Sequence, residues 1–172
     1  VAPGPLPPTI AVAAHLPHHP LGVYVMGERA IRHEMARADD IAQMQGLTEE
    51  ALRAGAFGFT TSRTESHRTT RGEQVPGRYA AKDELKGIGG ALGAVGRGVF
   101  GMLCDFEDEA AEFDWITEVV KGSGRPLWFL LTDRASDPQR WQRLMDGTRR
   151  ARTAGASVTA CRASWPPGPR SN

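Results

Sequence analysis

Five short apolar segments separated by helix-like stretches constrain the fold of this chain more than any other feature. They have strand length and are rich in β-branched and aromatic residues; they are Leu21 to Met26, Ala56 to Thr60, Gly98 to Leu103, Arg125 to Leu131 and Ala156 to Ala160. Strands that alternate with helices indicate right-handed βαβ crossovers and a parallel sheet. Because the strands are almost continuously apolar, the pattern also predicts burial on both faces of that sheet.

Parallel βα units either wind into an open sheet or close as an eight-stranded barrel. A complete barrel typically takes about 250 residues, and this chain has 172. A dinucleotide-binding open sheet needs a Gly-x-Gly-x-x-Gly run after the first strand, and that position offers only Gly27. The glycines between Gly87 and Gly96 lie within a helical pattern, so we interpret them as structural.

Composition divides the chain into three parts. Residues 1–20 are Pro-rich and predict an irregular segment, residues 21–160 carry the strand–helix pattern, and residues 161–172 predict an irregular tail with Pro and Arg. Asp39-Asp40 is expected to cap one helix, and Asp137-Pro138 to begin another, with Asp as cap and Pro at the first helical position.

Charge and cysteine content exclude several classes of protein. The formal net charge is +1, so the chain as a whole has no strong electrostatic attraction to nucleic acid or to a membrane surface. An Arg-rich stretch after Arg134 would allow nucleic-acid binding, but it lacks interleaved aromatic residues and any recognised motif. No apolar run reaches the roughly 18 residues that cross a membrane. Two distant cysteines, Cys104 and Cys161, indicate a reduced, cytoplasmic setting.

Ligands of parallel α/β folds bind beyond the carboxyl ends of the strands. The loops expected there are 27–39, 60–80, 104–108 and 132–137, and each is rich in polar residues. His67 has two interpretations. It is a metal ligand or general base, or it is simply an exposed loop residue. Cys104-Asp105 at a strand end would hold zinc or poise a nucleophile, although no histidine lies nearby in the sequence. Arg29 and Arg63 would suit recognition of a substrate carboxylate, because a guanidinium is a planar, two-pronged donor.

Four stretches carry a resemblance to a known family. They are "VYVMGERA" (Val23 to Ala30), "EEALRAGAFGFTTSRT" (Glu49 to Thr64), "VPGRYAAKDEL" (Val75 to Leu85) and "SGRPLWFLL" (Ser123 to Leu131). In this order they resemble the N-acyl-D-amino-acid deacylase (D-aminoacylase) branch of the amidohydrolase superfamily, over about residues 10 to 160. The resemblance implies a partial TIM-like (β/α) barrel of about five strands, the central fragment of a longer enzyme.

Members of this family hydrolyse the amide of a small N-acyl-D-amino acid with metal-activated water, usually on zinc. On such a barrel, the strand-end residues of this chain are the candidates: Arg29, Ser62, Arg63 and His67 for substrate contact, Asp105 and Asp133 for catalysis, and Cys104 for a metal ligand, although no metal is expected to be bound by this chain. Two ligand histidines expected at strand ends are replaced: Leu103-Cys104-Asp105-Phe106 stands where Thr-His-x-Arg would fall, and Leu131-Thr132-Asp133-Arg134 where Ser-His-His-Lys would fall. Either ligation is altered or hydrolysis has been lost.

These observations lead to two hypotheses. The first is an amidohydrolase fragment that binds no metal by itself and is inactive alone. The second is a non-catalytic α/β module that self-associates through open sheet edges. Neither requires nucleic acid or a membrane as a partner.

Overall fold

The computed structural model describes residues 13–78 and 80–162, which form one five-stranded sheet with helices. The strands are β1 (His15–Pro17), β2 (Gly58–Arg63), β3 (Val99–Cys104), β4 (Leu127–Leu131) and β5 (Val158–Arg162). The helices are α1 (His18–Met26), α2 (Glu28–Ile31), α3 (Ala38–Arg53), α4 (Lys82–Val95), α5 (Glu109–Ser123) and α6 (Arg140–Thr153). No helix in this part of the chain is both long and apolar enough to span a membrane.

The sheet is parallel throughout, and its spatial order follows the sequence, β1-β2-β3-β4-β5. Sequential order with right-handed crossovers brings every connecting helix to the same side of a sheet. In agreement with this, α3 packs on α4, α4 on α5, and α5 on α6. The α/β fold class predicted from the sequence is confirmed.

Side chains alternate between the two faces of the sheet, and the faces differ in burial. The helix face carries Phe59, Phe100, Met102, Phe129 and Val158, each at most 2% exposed. The opposite face, which we call the open face, carries Thr60, Leu103, Trp128 and Leu130, all only half-buried. The sequence predicted burial on both faces of the sheet. Among the described residues, only the helix face is fully buried, because the helices that connect the strands all lie on that side.

The glycine-rich helix α4 has a packing role, as the sequence suggested. A Cβ on Gly89 would lie 2.6 Å from a methyl group of Val119, and one on Gly93 would lie 2.8 Å from the Ser123 carbonyl oxygen. Both neighbours belong to α5. The low helix propensity of glycine is therefore offset by a close approach of two helices that larger residues would prevent.

The segment Leu21–Met26 is helical, so the first predicted strand is wrong. The strand at this edge is instead β1, three residues long, inside the region expected to be irregular. Helix α1 begins at His18 and holds Pro20 in its first turn, where the missing N–H breaks no helical bond. Short apolar runs do not distinguish strands from helix segments by periodicity, and here tertiary packing of Leu21 and Met26 selects the helix.

Element boundaries differ in smaller ways. Asp40 caps α3 from its third position, accepting the Arg37 N–H at 2.8 Å, so the cap residue is Arg37 instead of an aspartate. Helix α6 begins at Arg140, after the predicted Asp137-Pro138 start. Residues 161 and 162 belong to β5, not to the irregular tail. The rest of that tail, and the first twelve residues of the predicted N-terminal segment, lie outside the described residues.

Candidate functional site

The length of β2 decides which of its residues can share a site. The strand continues three residues beyond the predicted end at Thr60, as far as Arg63. Successive side chains in a strand point to opposite faces, so Ser62 lies on the open face with Thr60. Thr61 and Arg63 lie on the helix face, where Thr61 contacts His18 of α1 and Arg63 contacts Glu112 of α5. Ser62 and Arg63, expected together, are thus separated by the sheet.

Arg63 is engaged by α5. Its Nε and Nη2 donate to the two carboxylate oxygens of Glu112 at 3.0 and 2.8 Å, and its Nη1 donates to the Ala80 carbonyl at 3.0 Å. Trp115 Nε1 donates to the same carboxylate at 2.7 Å, and the guanidinium lies 5.8 Å from the centre of a Trp115 ring. This two-pronged pair occupies the donors that the sequence analysis assigned to a substrate carboxylate.

A second polar cluster on the helix face was not predicted. His18 is 1% exposed, with Nδ1 2.7 Å from the Thr61 hydroxyl and Nε2 2.7 Å from Glu84, which is 4% exposed. The wrong assignment of a strand at Leu21–Met26 concealed it, because His18 was expected to precede a strand. Both ring nitrogens have partners, as buried polar groups require, so the cluster fastens α1, β2 and α4 together.

On the open face, Ser62 meets His67. The Ser62 Oγ lies 2.6 Å from the His67 Nδ1. Ser62 is 7% exposed, whereas His67 is exposed at the surface of the loop after β2. The structure therefore brings together two of the four predicted substrate-binding residues, across five positions of the sequence.

Asp105 follows the carboxyl end of β3, the strand next to β2, and three hydrogen bonds hold its carboxylate. It accepts the Glu65 N–H at 2.7 Å, the Thr64 hydroxyl at 3.0 Å and Arg134 Nη2 at 2.7 Å. Burial raises the pKa of Asp105, but these three donors outweigh it and hold the pKa below its ordinary value. Asp105 is consequently an acceptor at neutral pH and has no proton to donate.

A buried arginine fixes the turn that carries Asp105. Arg140, 3% exposed, donates to the Asp105 carbonyl at 2.7 Å and to the Thr132 carbonyl at 3.1 Å, tying together the loops after β3 and β4. Phe106 has φ +49°, a value that non-glycine residues rarely adopt. Its ring packs 4.9 Å from that of Phe129, centre to centre. The turn is thus held in one conformation from both sides.

The remaining predicted residues lie elsewhere. Asp133 accepts from Arg162 at 2.6 Å in an exposed pair at the ends of β4 and β5. Arg29, on α2, donates to Asp40 of α3 at 2.5 Å, and this hydrogen bond lowers the pKa of Asp40. Neither residue contacts the Ser62–His67 pair.

Cys104 lies on the helix face and is 2% exposed. Burial, reinforced by Glu112, raises the pKa of its thiol to about 12. Its Sγ accepts the Phe106 N–H at 3.2 Å. A small cavity of about 60 Å³ adjoins it, lined also by Arg63, Arg78, Asp105, Phe106, Glu107 and Glu112. Because a thiolate is the form that binds metal, a thiol protonated at neutral pH is a poor ligand.

The residues at the strand ends do not fit a metal centre. Throughout residues 13–78 and 80–162, no three or more His, Cys, Asp or Glu side chains are grouped so that they could hold a metal ion. Cys104 is protonated and faces the helices, and the carboxylates of Asp105 and Asp133 are paired with arginines.

Comparison with known proteins places the fold. No family profile matches the chain, and no curated protein matches it. Among solved structures, the chain matches part of the fold of three structures. These structures are of D-aminoacylase. One comes from work on the role of its binuclear metal centre; it has a TM-score of 0.74 and 20% identity, and the match covers 93% of this chain and 32% of that chain. Another is described as defining a novel subset of amidohydrolases (TM-score 0.72, 20% identity, 92% and 31%).

A D-aminoacylase mutant in complex with copper chloride gives the same extent of match, with a TM-score of 0.74 over 93% of this chain. The chain spans about a third of the length of these structures. At this identity the likeness concerns the fold alone, and it confirms the fold that the sequence resemblance implied.

Proposed function

We propose that this chain is the central part of an amidohydrolase-like (β/α) barrel whose carboxyl edge faces a small N-acyl-D-amino acid. The observation that supports this most directly is the match of 93% of the chain to about a third of D-aminoacylase. The polar residues on the open face of β2 and β3 lie at the edge where such folds bind ligands. Hydrolysis of the substrate amide is the reaction we assign to the whole barrel.

The chain's own residues would supply contacts and no metal centre. Because the side chains at the strand ends do not fit a metal, we derive no step through zinc, and we propose that the chain alone binds none and has no turnover. Ser62 and His67 would contact the substrate directly. Asp105, which is ionised and rigidly held, would accept a hydrogen bond from the substrate N–H. Asp133 and Arg29 have less support as contacts, since they are paired with Arg162 and Asp40 away from the Ser62–His67 pair. Arg63 also has less support, because it lies on the helix face and binds Glu112.

Two measurements on the purified chain test this proposal. Incubation with N-acetyl-D-amino acids, with and without added Zn²⁺, should release no free D-amino acid, and the chain should retain less than one metal ion after desalting. Saturation-transfer NMR should nevertheless show binding of the D-enantiomers, weakened in Asp105→Asn but not in Asp133→Asn. Turnover with bound metal would contradict inactivity, and equal binding of D- and L-enantiomers would contradict the substrate assignment.

The open face favours a second candidate, a self-associating module. Within the described residues, β1 and β5 each have one neighbouring strand, and Leu103, Trp128 and Leu130 lie half-buried on a face without helices. Parallel edges of this kind tend to pair with other chains. Light scattering at increasing concentration should show dimers or larger species, whereas a monodisperse monomer would exclude this candidate.

A further inference from the structure

The Ser62–His67 pair has the geometry of an activated nucleophile. A serine hydroxyl and a histidine base within about 2.6–3.2 Å form the core of nucleophilic acyl-transfer sites, and here the two atoms lie 2.6 Å apart. With the ring neutral and its proton on Nε2, Nδ1 accepts the hydrogen bond that the hydroxyl donates. The contact joins a strand residue to a loop residue, so it does not follow from helix or turn geometry.

Hydrogen bonds on both sides of His67 hold the loop in place. Before it, the Thr64 hydroxyl accepts the Ser66 N–H at 3.2 Å and donates to Asp105. After it, Arg68 pairs with Gln74 in an antiparallel bridge, and its Nη1 donates to the Gly72 carbonyl at 2.9 Å. The imidazole is therefore brought back over the end of β2 by contacts that do not involve Ser62, as a positioned base requires.

The pair is also separate from the polar networks of the sheet. Thr61 and Arg63, its neighbours in the strand, bind His18 and Glu112 on the other face. Among the described residues, Ser62 is the hydrogen-bonding partner of His67 and nothing else competes for Nδ1. His67 is exposed, so a small reagent can approach from its side.

We propose that Ser62, activated by His67, accepts the acyl group of small activated esters without a metal ion. The Ser62 Oγ attacks the ester carbonyl while its proton passes to His67 Nδ1. The bond to the aryloxide oxygen then breaks, and the phenol leaves with that proton, which leaves an ester on Ser62. Water later hydrolyses this ester to the free acid. No described carboxylate orients the imidazole, so we expect slow reaction and accumulation of acylated Ser62.

Acetylation by p-nitrophenyl acetate in the presence of EDTA tests this site, and it does not depend on the amide hydrolysis proposed above. Peptide mass spectrometry should find one acetyl group on Ser62, formed in step with released p-nitrophenolate. His67→Ala should slow this modification by about 100-fold, and Ser62→Ala should abolish it. Thr70→Ala removes an exposed hydroxyl from the same loop and should leave the rate unchanged. Acetyl groups on lysines with Ser62 unmodified would overturn the proposal.

A thiol variant keeps the test decisive if Ser62→Ala unfolds. In Ser62→Cys, iodoacetamide should modify the introduced thiol faster than in the double variant that also carries His67→Ala, because the imidazole removes the thiol proton. Mapping by mass spectrometry separates the introduced thiol from Cys161, which is exposed and serves as an internal reference. Equal rates at position 62 in both variants would show that His67 is not a base and would overturn the proposal.

Discussion

The two faces of β2 and β3 carry similar polar residues in different surroundings. On the helix face, Thr61 and Arg63 are enclosed by His18, Glu84 and Glu112, and the donors and acceptors are matched. On the open face, Ser62 and Asp105 have partners on exposed side chains, His67 and Arg134. Residue type alone therefore does not separate the residues of the helix-face networks from the candidate site residues. Their side of the sheet does, and it follows from the alternation of side chains along a β2 that extends to Arg63.

The largest effect should come from opening the helix-face network. Glu112→Ala leaves the Arg63 guanidinium and the Trp115 N–H without their carboxylate, in a region where Arg63 and Glu112 side chains are 20% and 14% exposed. Removing one partner of a largely buried ion pair costs about 3 kcal/mol. Urea unfolding measures this loss. Asp146→Ala breaks an exposed pair with Arg149 and should cost less than about 1 kcal/mol; equal costs would mean that the two environments do not differ.

The next effect concerns packing on the open face. A Cβ at Gly101 would lie 2.6 Å from the Trp128 ring and 2.8 Å from the Thr60 methyl group. Gly101→Ala should therefore destabilise the chain by about 2 kcal/mol and shift the tryptophan fluorescence. Gly46→Ala, in α3 with nothing within 4 Å of its Cβ, should instead stabilise by about 1 kcal/mol. A neutral Gly101→Ala would show that Trp128 is free to move on this face.

The order of elements was predictable because it depends on local periodicity, and the site was not, because it depends on distant contacts. Helices α3 to α6 and strands β2 to β5 follow apolar patterns that the sequence displays. The end of β2 is not marked, since Thr61, Ser62 and Arg63 continue the strand as polar residues. The loop conformation that returns His67 to Ser62 depends on Thr64 binding Asp105, 41 positions away. No short-range pattern contains that information.

A pH-dependent effect distinguishes the buried thiol from the exposed one. Folding raises the pKa of Cys104 from 9.0 to about 12, so the folded state holds a proton that the unfolded state loses. The stability it contributes is complete below about pH 9 and is lost as pH rises toward 12, by up to about 1.4 kcal/mol per pH unit. Urea unfolding of the chain and of Cys104→Ala should differ in this slope. Cys161→Ala should keep the slope of the parent chain, because Cys161 is exposed.

The smallest effect is expected at Asp105, and it bears on the open face itself. Arg134 is 41% exposed, so its pair with Asp105 should contribute less than about 1 kcal/mol. Because the pKa of Asp105 is lowered in the folded state, its stabilising contribution is present above the ordinary pKa and is lost as pH falls through the folded value. Arg134→Ala should move the pKa of Asp105 upward, as measured by NMR titration of its carboxyl carbon, with little change in unfolding free energy at neutral pH.

Thr64→Val should also raise the pKa of Asp105. Unlike Arg134→Ala, it should release the loop before His67, so it should slow the acetylation of Ser62 as well. If both variants shift the pKa of Asp105 but neither changes the rate of acetylation, the hydrogen bonds of Asp105 do not position His67, and the two groups are independent features at the same edge of the sheet.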